Sequence, residues 1–333
     1  MFDVYGALRD ADQLSSPSGE WKWIFDATRI GFQDALQSGD RERLTELLRN
    51  FFRNDLSFGL VSHSTFDDLS DGDENALTEF SNATLLDVDT WLEFCDSPPI
   101  ASLEMPMVGN PYGIVLDGAL ILPDAPRHFY HARKLESLVR HCGTRPVILE
   151  IGGGYGSVFW RLRNTLGLNG KFCYISCDLE ETLFLFCYFV LTEVGSSGSQ
   201  KIPPPKLKWA LDGAVSNQDT EDFDLILVPA SRSGSLDCGV DIVYNSNSLS
   251  EMGREHVEDY FRLINRLKPR YIFHQNSNFF PWETSLRGHI EVLARDFPID
   301  HGVYEELYRA VAPWQGGQGR HREYLYARRD LMK

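Results

Sequence analysis

The residues best placed to do chemistry lie in VILEIGGGYGSVFWRL, positions 147–162. Val147 to Ile151 is a short apolar run that predicts a strand. Gly152, Gly153, Gly154 and Gly156 follow at once, and a helix is predicted over 155–166. Glycines let a backbone approach a ligand closely because no Cβ intervenes. A helix start presents free N–H groups to an electron-rich partner. The dinucleotide fingerprint GxGxxG fails here: counted from Gly152 it needs glycine where Ser157 stands, and from Gly153 where Tyr155 stands. The G-K-[ST] of a P-loop is also absent. What remains is Glu150-x-Gly152-x-Gly154-x-Gly156. The next predicted strand, KFCYISC (171–177), runs into Asp178, where an acid suits a ribose diol. Asp178 with Glu181 also has capping-box spacing, and Glu150 has the rival role of a buried acid bonded to loop amides. Together these residues predict a nucleotide-like cofactor.

Other candidates stand at predicted strand ends, where an open parallel sheet places its site. They are Asn245, Asn247, Ser248, Ser250 and Glu251 after the strand 241–245, and His274, Gln275 and Asn276 at the end of the strand 270–275. Glu251 is the first candidate for a general base and His274 the second. Their competing roles are helix capping for Glu251 and core packing for His274; Asn245 has the competing role of a turn residue. Arg127 and Tyr130 share a helical face and suit a carboxylate of the cofactor or the substrate. His128 and His131 have the spacing of a metal pair, but no carboxylate cluster accompanies them, so no metal is expected. The run LFLFCYFVL reads as core.

Several of these pieces resemble the sugar O-methyltransferase family within the class I S-adenosylmethionine-dependent methyltransferase superfamily. They are Gly109-Asn110-Pro111, Arg127-His128-x-Tyr130, EIGGGYG (150–156), LVP (227–229) and VYNSNSLSEM (243–252), spread over roughly residues 105–280. The resemblance implies S-adenosyl-L-methionine as cofactor, held by Glu150, Gly152, Gly153, Gly154, Tyr155, Gly156 and Asp178, with Arg127 and Tyr130 in support. It implies methyl transfer to a sugar or glycan hydroxyl, with Asn245 near the transfer centre and Glu251 or His274 taking the proton. Two alternatives stay open: another small-molecule acceptor, to which Tyr155, Phe279, Phe280 and Trp282 would be suited, and a non-catalytic binding module on the same fold.

The elements that must position these residues follow from hydrophobic periodicity. Residues 1–60 read as helices, 62–75 as an acidic loop, 76–96 as a helix and 105–126 as a Pro/Gly-rich linker carrying a short hairpin. A helix over 127–142 follows. Continuous apolar strands then alternate with helices, predicting a doubly wound, Rossmann-like, mostly parallel α/β sheet covered on both faces. The strands are 147–151, 171–177, 223–229, 241–245, 270–275 and 323–329. Helices are expected from Asp178 to about Val194, over 254–267 and over TSLRGHIEVLARDF (284–297). The division expected is a mainly helical region 1–126 and a Rossmann-like domain 127–333.

Composition sets the outer bounds. The chain has 333 residues, 43% hydrophobic and 24% charged, with a formal charge of −16, which is globular and excludes wholesale disorder. Residues 1–100 hold 20 acids and 7 bases, the remainder 28 and 25. Such an acidic front repels phosphate backbones and anionic membranes, so a nucleic-acid partner is not expected. No apolar run reaches the roughly 20 residues of a bilayer span. No signal peptide is read at the amino terminus and none of the six cysteines forms a C-x-x-C pair, so a cytoplasmic location is expected.

Overall fold

Apolar strands covered on both faces give this sheet two separate cores. The computed structural model describes residues 2–10, 14–61, 66–196, 202–279, 291–314 and 320–332. Eight strands form the main sheet: β1 (Val147–Ile151), β2 (Cys173–Asp178), β3 (Leu207–Trp209), β4 (Leu225–Pro229), β5 (Ile242–Ser246), β6 (Tyr271–Ser277), β7 (Tyr304–Val311) and β8 (His321–Arg328). Their spatial order is β7-β8-β6-β5-β1-β2-β4-β3. β8 runs antiparallel to both β6 and β7, and all other neighbours pair in parallel. This is a doubly wound, Rossmann-like, mostly parallel α/β fold. The strand order reverses between β1 and β5, so the crevice beyond their carboxyl ends is where such a sheet binds ligands.

Alternation along each strand sorts side chains between the two faces. Ile148, Tyr174, Leu227, Tyr244 and Phe273 enter one apolar cluster. Leu149, Ile175, Ile226, Val243 and Ile272 enter the other, packed on Val257, Phe261 and Ile264. The first face is covered by helices α1 (Ala125–Cys142), α2 (Ser157–Trp160) and α3 (Glu180–Ser196), and the second by α5 (Arg254–Leu267) after the short α4 (Ser248–Glu251). Pro126 sits in the first turn of α1, where its missing N–H costs nothing.

The amino-terminal region is helical at Phe2–Asp10, Glu20–Ile24, Ile30–Ser38, Arg41–Arg49 and Glu74–Phe94. Asp40 caps one of these helices by accepting from the Arg43 N–H, and Asp73 caps another by accepting from the Ala76 N–H. A hairpin joins Ile114–Leu116 to Ala119–Ile121. Phe32, Phe51, Phe52 and Trp91 of this region lie in the same cluster as Tyr155, Phe186 and Phe189, so that core is continuous across residue 126.

Three expectations need correction. The acidic loop 62–75 contains a helix at Phe66–Asp71. Strands β3 and β7 lie where none is read from the sequence: β3 has three residues, and β7 is an edge strand that leaves Leu307, Arg309 and Val311 exposed. The helix 284–297 falls partly outside the described residues, and its described end holds only a 3₁₀ turn at Ala294–Asp296.

Candidate functional site

The turn after β1 is shaped by what its glycines must avoid. A Cβ on Gly152 would lie 2.0 Å from the Ser248 Oγ, and one on Gly153 would lie 2.3 Å from the Ser176 Oγ and 2.7 Å from the Glu150 Oε2. Gly152 and Gly154 have φ values of +73° and +55°, a region costly for residues with a Cβ. Gly156 (φ +82°) presses its Cα face onto the Phe186 ring. The turn is tied down from β2. Asp178 accepts from the Gly154 N–H at 3.0 Å and the Leu179 N–H at 2.7 Å, both outside the helix Glu180–Ser196. Burial nevertheless pushes the Asp178 carboxyl up to about 7, against the backbone N–H groups that pull it down.

Glu150 points from β1 into the same space and is only 3% exposed. Its Oε2 accepts from the Tyr174 hydroxyl at 2.7 Å, not from loop amides. Burial pushes its carboxyl up to about 8, with Tyr174 opposing.

These groups line a cavity of about 770 Å³ at the carboxyl ends of β1, β2 and β5, within the roughly 300–1,000 Å³ typical of small-molecule sites. One side carries Glu150, Gly152, Gly153, Gly154 and Asp178. Arg127, His128, Tyr155, Tyr244, Asn247, Ser248 and Glu251 also line it, as do His256, Arg262 and Arg266 of α5. Arg127 pairs with Asp124 at 2.7 Å, Arg262 pairs with Asp259, and Arg266 donates to the carbonyls of Leu236 and Gly234. Asn247 holds φ +69°, an uncommon conformation for a residue with a side chain, of the kind that gathers at functional sites. Burial pushes Glu251 up to about 7; Glu20 adds to this, while the Trp21 indole N–H, donating to Oε2 at 3.0 Å, opposes it.

The structure separates other candidates from the cavity. His274 is not among the residues lining it. It faces the opposite side of the sheet, stacked on Tyr324 with ring centroids 4.8 Å apart, and burial lowers it to about 3. Its Nε2 has no hydrogen-bond partner among the described residues. Asn245 is buried beneath the turn. It donates to the Ile151 carbonyl at 2.7 Å and accepts from Asn276 at 2.7 Å, so it fixes the β1–β5 seam rather than facing a ligand. Tyr130 turns away from Arg127 and donates to Glu323 at 2.7 Å. Gly156 supports the turn from behind. His131 spends both ring nitrogens on Gln275 and Tyr244. Phe279 is 45% exposed and outside the cavity lining; Phe280 and Trp282 lie outside the described residues.

Sequence reasoning named no amino-terminal residue of the site. Leu14, Ser15, Ser16, Pro17, Ser18 and Trp21 line the cavity, together with Gly59 and Leu60. Ser15 donates through its N–H and hydroxyl to Glu180, and Ser18 accepts from the Gly253 N–H at 3.1 Å. The only local signal was the loop composition SSPSG.

Fold and crevice define a Rossmann-like α/β protein with a cavity at its switch point. No family model and no curated protein matches the chain. Solved structures do. The N-methyltransferase NodS from Bradyrhizobium japonicum WM9, in complex with S-adenosyl-L-homocysteine, is 14% identical over 60% of this chain and 87% of its own, with a TM-score of 0.38. Magnesium protoporphyrin IX methyltransferase (ChlM) from Synechocystis PCC 6803 with bound S-adenosylmethionine is 12% identical over 62% of this chain and 82% of its own, at 0.36. The N-terminal domain of EvdMO1, in the presence of S-adenosylhomocysteine and D-fucose, is 12% identical over 65% of this chain and 89% of its own, at 0.38. No helix among the described residues is long and apolar enough to cross a membrane.

Proposed function

We propose that the chain is a class I S-adenosylmethionine-dependent methyltransferase acting on a hydroxyl of a sugar or glycan. One observation carries the reading: a glycine turn in which a Cβ at Gly152 or Gly153 would collide with neighbouring side chains lines the switch-point cavity between two acids, the buried Glu150 and the partly buried Asp178. That cradle fits a nucleoside with a diol and a cationic centre. Glu150, Gly152, Gly153, Gly154 and Asp178 would hold the cofactor, and Tyr155 and Arg127 also line the cavity. When bound, the cofactor supplies an electrophilic sulfonium methyl group.

The chain's own task is then to orient a hydroxyl and remove its proton. Glu251 lines the cavity and has a carboxyl near 7, so a large fraction is ionised at neutral pH and can accept a proton at Oε1 while Trp21 occupies Oε2. A neutral, hydroxyl-rich acceptor is supported by the lining. Its three guanidinium groups already have acidic or carbonyl partners, and Ser15, Ser16, Ser18, Ser231, Ser233 and Ser246 add hydroxyls.

Calorimetry with S-adenosylmethionine and S-adenosylhomocysteine tests the cofactor. Binding by the parent chain and at least tenfold weaker binding by Asp178→Asn are expected. Equal affinity in both, or no binding at millimolar ligand, refutes the reading. Transfer of a labelled methyl group to a panel of methyl glycosides and oligosaccharides tests the acceptor. Binding without transfer to any of them favours the non-catalytic module.

A further inference from the structure

The segment Ser15–Trp21 lies directly on the residues that carry Glu251. Within four positions it makes three contacts with residues 251–253. The Ser18 Oγ accepts from the Gly253 N–H, the Trp21 indole donates to Glu251, and Gly19 touches the chain between them. Gly19 holds φ +57° and ψ −134°. A Cβ there would lie 2.2 Å from the Glu251 carbonyl oxygen and 2.9 Å from the Met252 carbonyl carbon. Backbone meets backbone at this point, and only glycine allows it.

The indole is held from other sides as well. Phe25 packs edge-on at 6.1 Å, and the absent Cβ of Gly59 leaves space 3.4 Å from the ring. The Trp21 N–H is the one hydrogen-bond donor to the Glu251 carboxylate among the described residues. It takes Oε2, and Glu251 is one of the residues that line the cavity.

We propose that Trp21 is the positioning residue of Glu251, its indole N–H fixing one carboxylate oxygen so that the other is presented to the acceptor hydroxyl. This rests on Glu251 being the base. The segment 15–21 thereby makes the amino-terminal region part of the catalytic apparatus: the base is correctly aimed only while that segment is seated. A donor to a carboxylate stabilises its ionised form, so Trp21 also sets where Glu251 titrates. The other charged groups acting on it are Glu20 beside Trp21, Arg127 on α1 and Asp178 at the end of β2, with His256 of α5 in the same cavity. None of them is removed when Trp21 is replaced.

The test needs no identified acceptor. In the parent chain, one of the seven tryptophan indole N–H resonances is expected to titrate together with the Glu251 side-chain ¹³C resonance. Glu251→Gln should abolish that titration and assign both signals. Trp21→Phe keeps the ring, removes the donor and should move the Glu251 midpoint to higher pH. With any glycoside that accepts methyl groups, it should lower kcat about tenfold, with the acid limb of kcat shifted the same way. A merely structural role would lower activity equally at every pH.

The proposal is overturned if no indole titrates with Glu251 in the parent chain, or if folded Trp21→Phe keeps the parent midpoint. Failure of the underlying reading looks different, since Glu251→Gln would then transfer methyl groups at the parent rate.

Discussion

Glu150 offers the sharpest test of how the cradle is built. It is 3% exposed, accepts one hydrogen bond from Tyr174 and has its carboxyl pushed from 4.5 up to about 8 by burial. An acid raised on folding binds more protons in the native state than in the unfolded chain. Stability therefore falls as pH rises from the unfolded value through the folded one. At about 1.36 kcal/mol per tenfold change in proton affinity, holding this proton at pH 7 against an unfolded value of 4.5 costs on the order of 3 kcal/mol. Near pH 4.5 the cost almost vanishes. Glu150→Gln keeps the acceptor for Tyr174 and removes the titration. Its stability should match the parent near pH 4.5 and exceed it by about 3 kcal/mol at pH 7, read from urea unfolding at several pH values. The same variant should bind S-adenosylmethionine more weakly, the usual trade of stability against function. A gap that does not grow with pH would refute the reasoning, because it would mean that this carboxyl ionises as freely inside the cradle as outside.

Gly153→Ala places a Cβ against Ser176 and the Glu150 carboxylate at 2.3 and 2.7 Å. It should cost about 1–3 kcal/mol and weaken S-adenosylhomocysteine binding by at least tenfold; unchanged Tm and affinity would show that the turn is slack. Asp178→Asn turns one acceptor of the Gly154 and Leu179 N–H groups into a donor. Besides losing cofactor affinity it should destabilise by roughly 1–3 kcal/mol near pH 4, where the raised Asp178 carboxyl carries almost no ionisation cost, measured by thermal unfolding, and a rise in Tm at that pH would contradict this. Arg161 is fully buried and donates to the carbonyls of Ser102 and Leu103. Arg161→Ala should lose about 3 kcal/mol in urea unfolding, and a loss below about 1 kcal/mol would show that those carbonyls find other donors.

What could be read from the sequence was local. The glycine turn, Glu150 and Asp178 lie within one βαβ unit, where spacing alone fixes geometry, and the structure brings Glu150, Gly152–Gly154 and Asp178 together. His274 was misjudged for a different reason. β6 is buried on both faces, so no alternation told which parity faces the cavity. Its neighbours Phe273 and Gln275 face the α1 side, and His274 faces Tyr324. Tyr130 was paired with Arg127 by helical spacing, but a helix buried over most of its surface gives no such guarantee. The Gly109-Asn110 motif proves to be a packing device: a Cβ on Gly109 would meet Phe51, and the Asn110 side chain donates to Asn50. The bond from Trp21 to Glu251 spans 230 positions, beyond the reach of any periodicity.

The apolar cluster running from Tyr5, Phe52 and Trp91 through Tyr155 to Phe189 has a bearing on the inheritance of the chain. A front third that shares its interior with the sheet cannot be exchanged like a detachable cassette, since any replacement would have to fill the hollows left around Tyr155 and Phe186. Changes in that third and changes along α3 are thus bound to travel as matched sets.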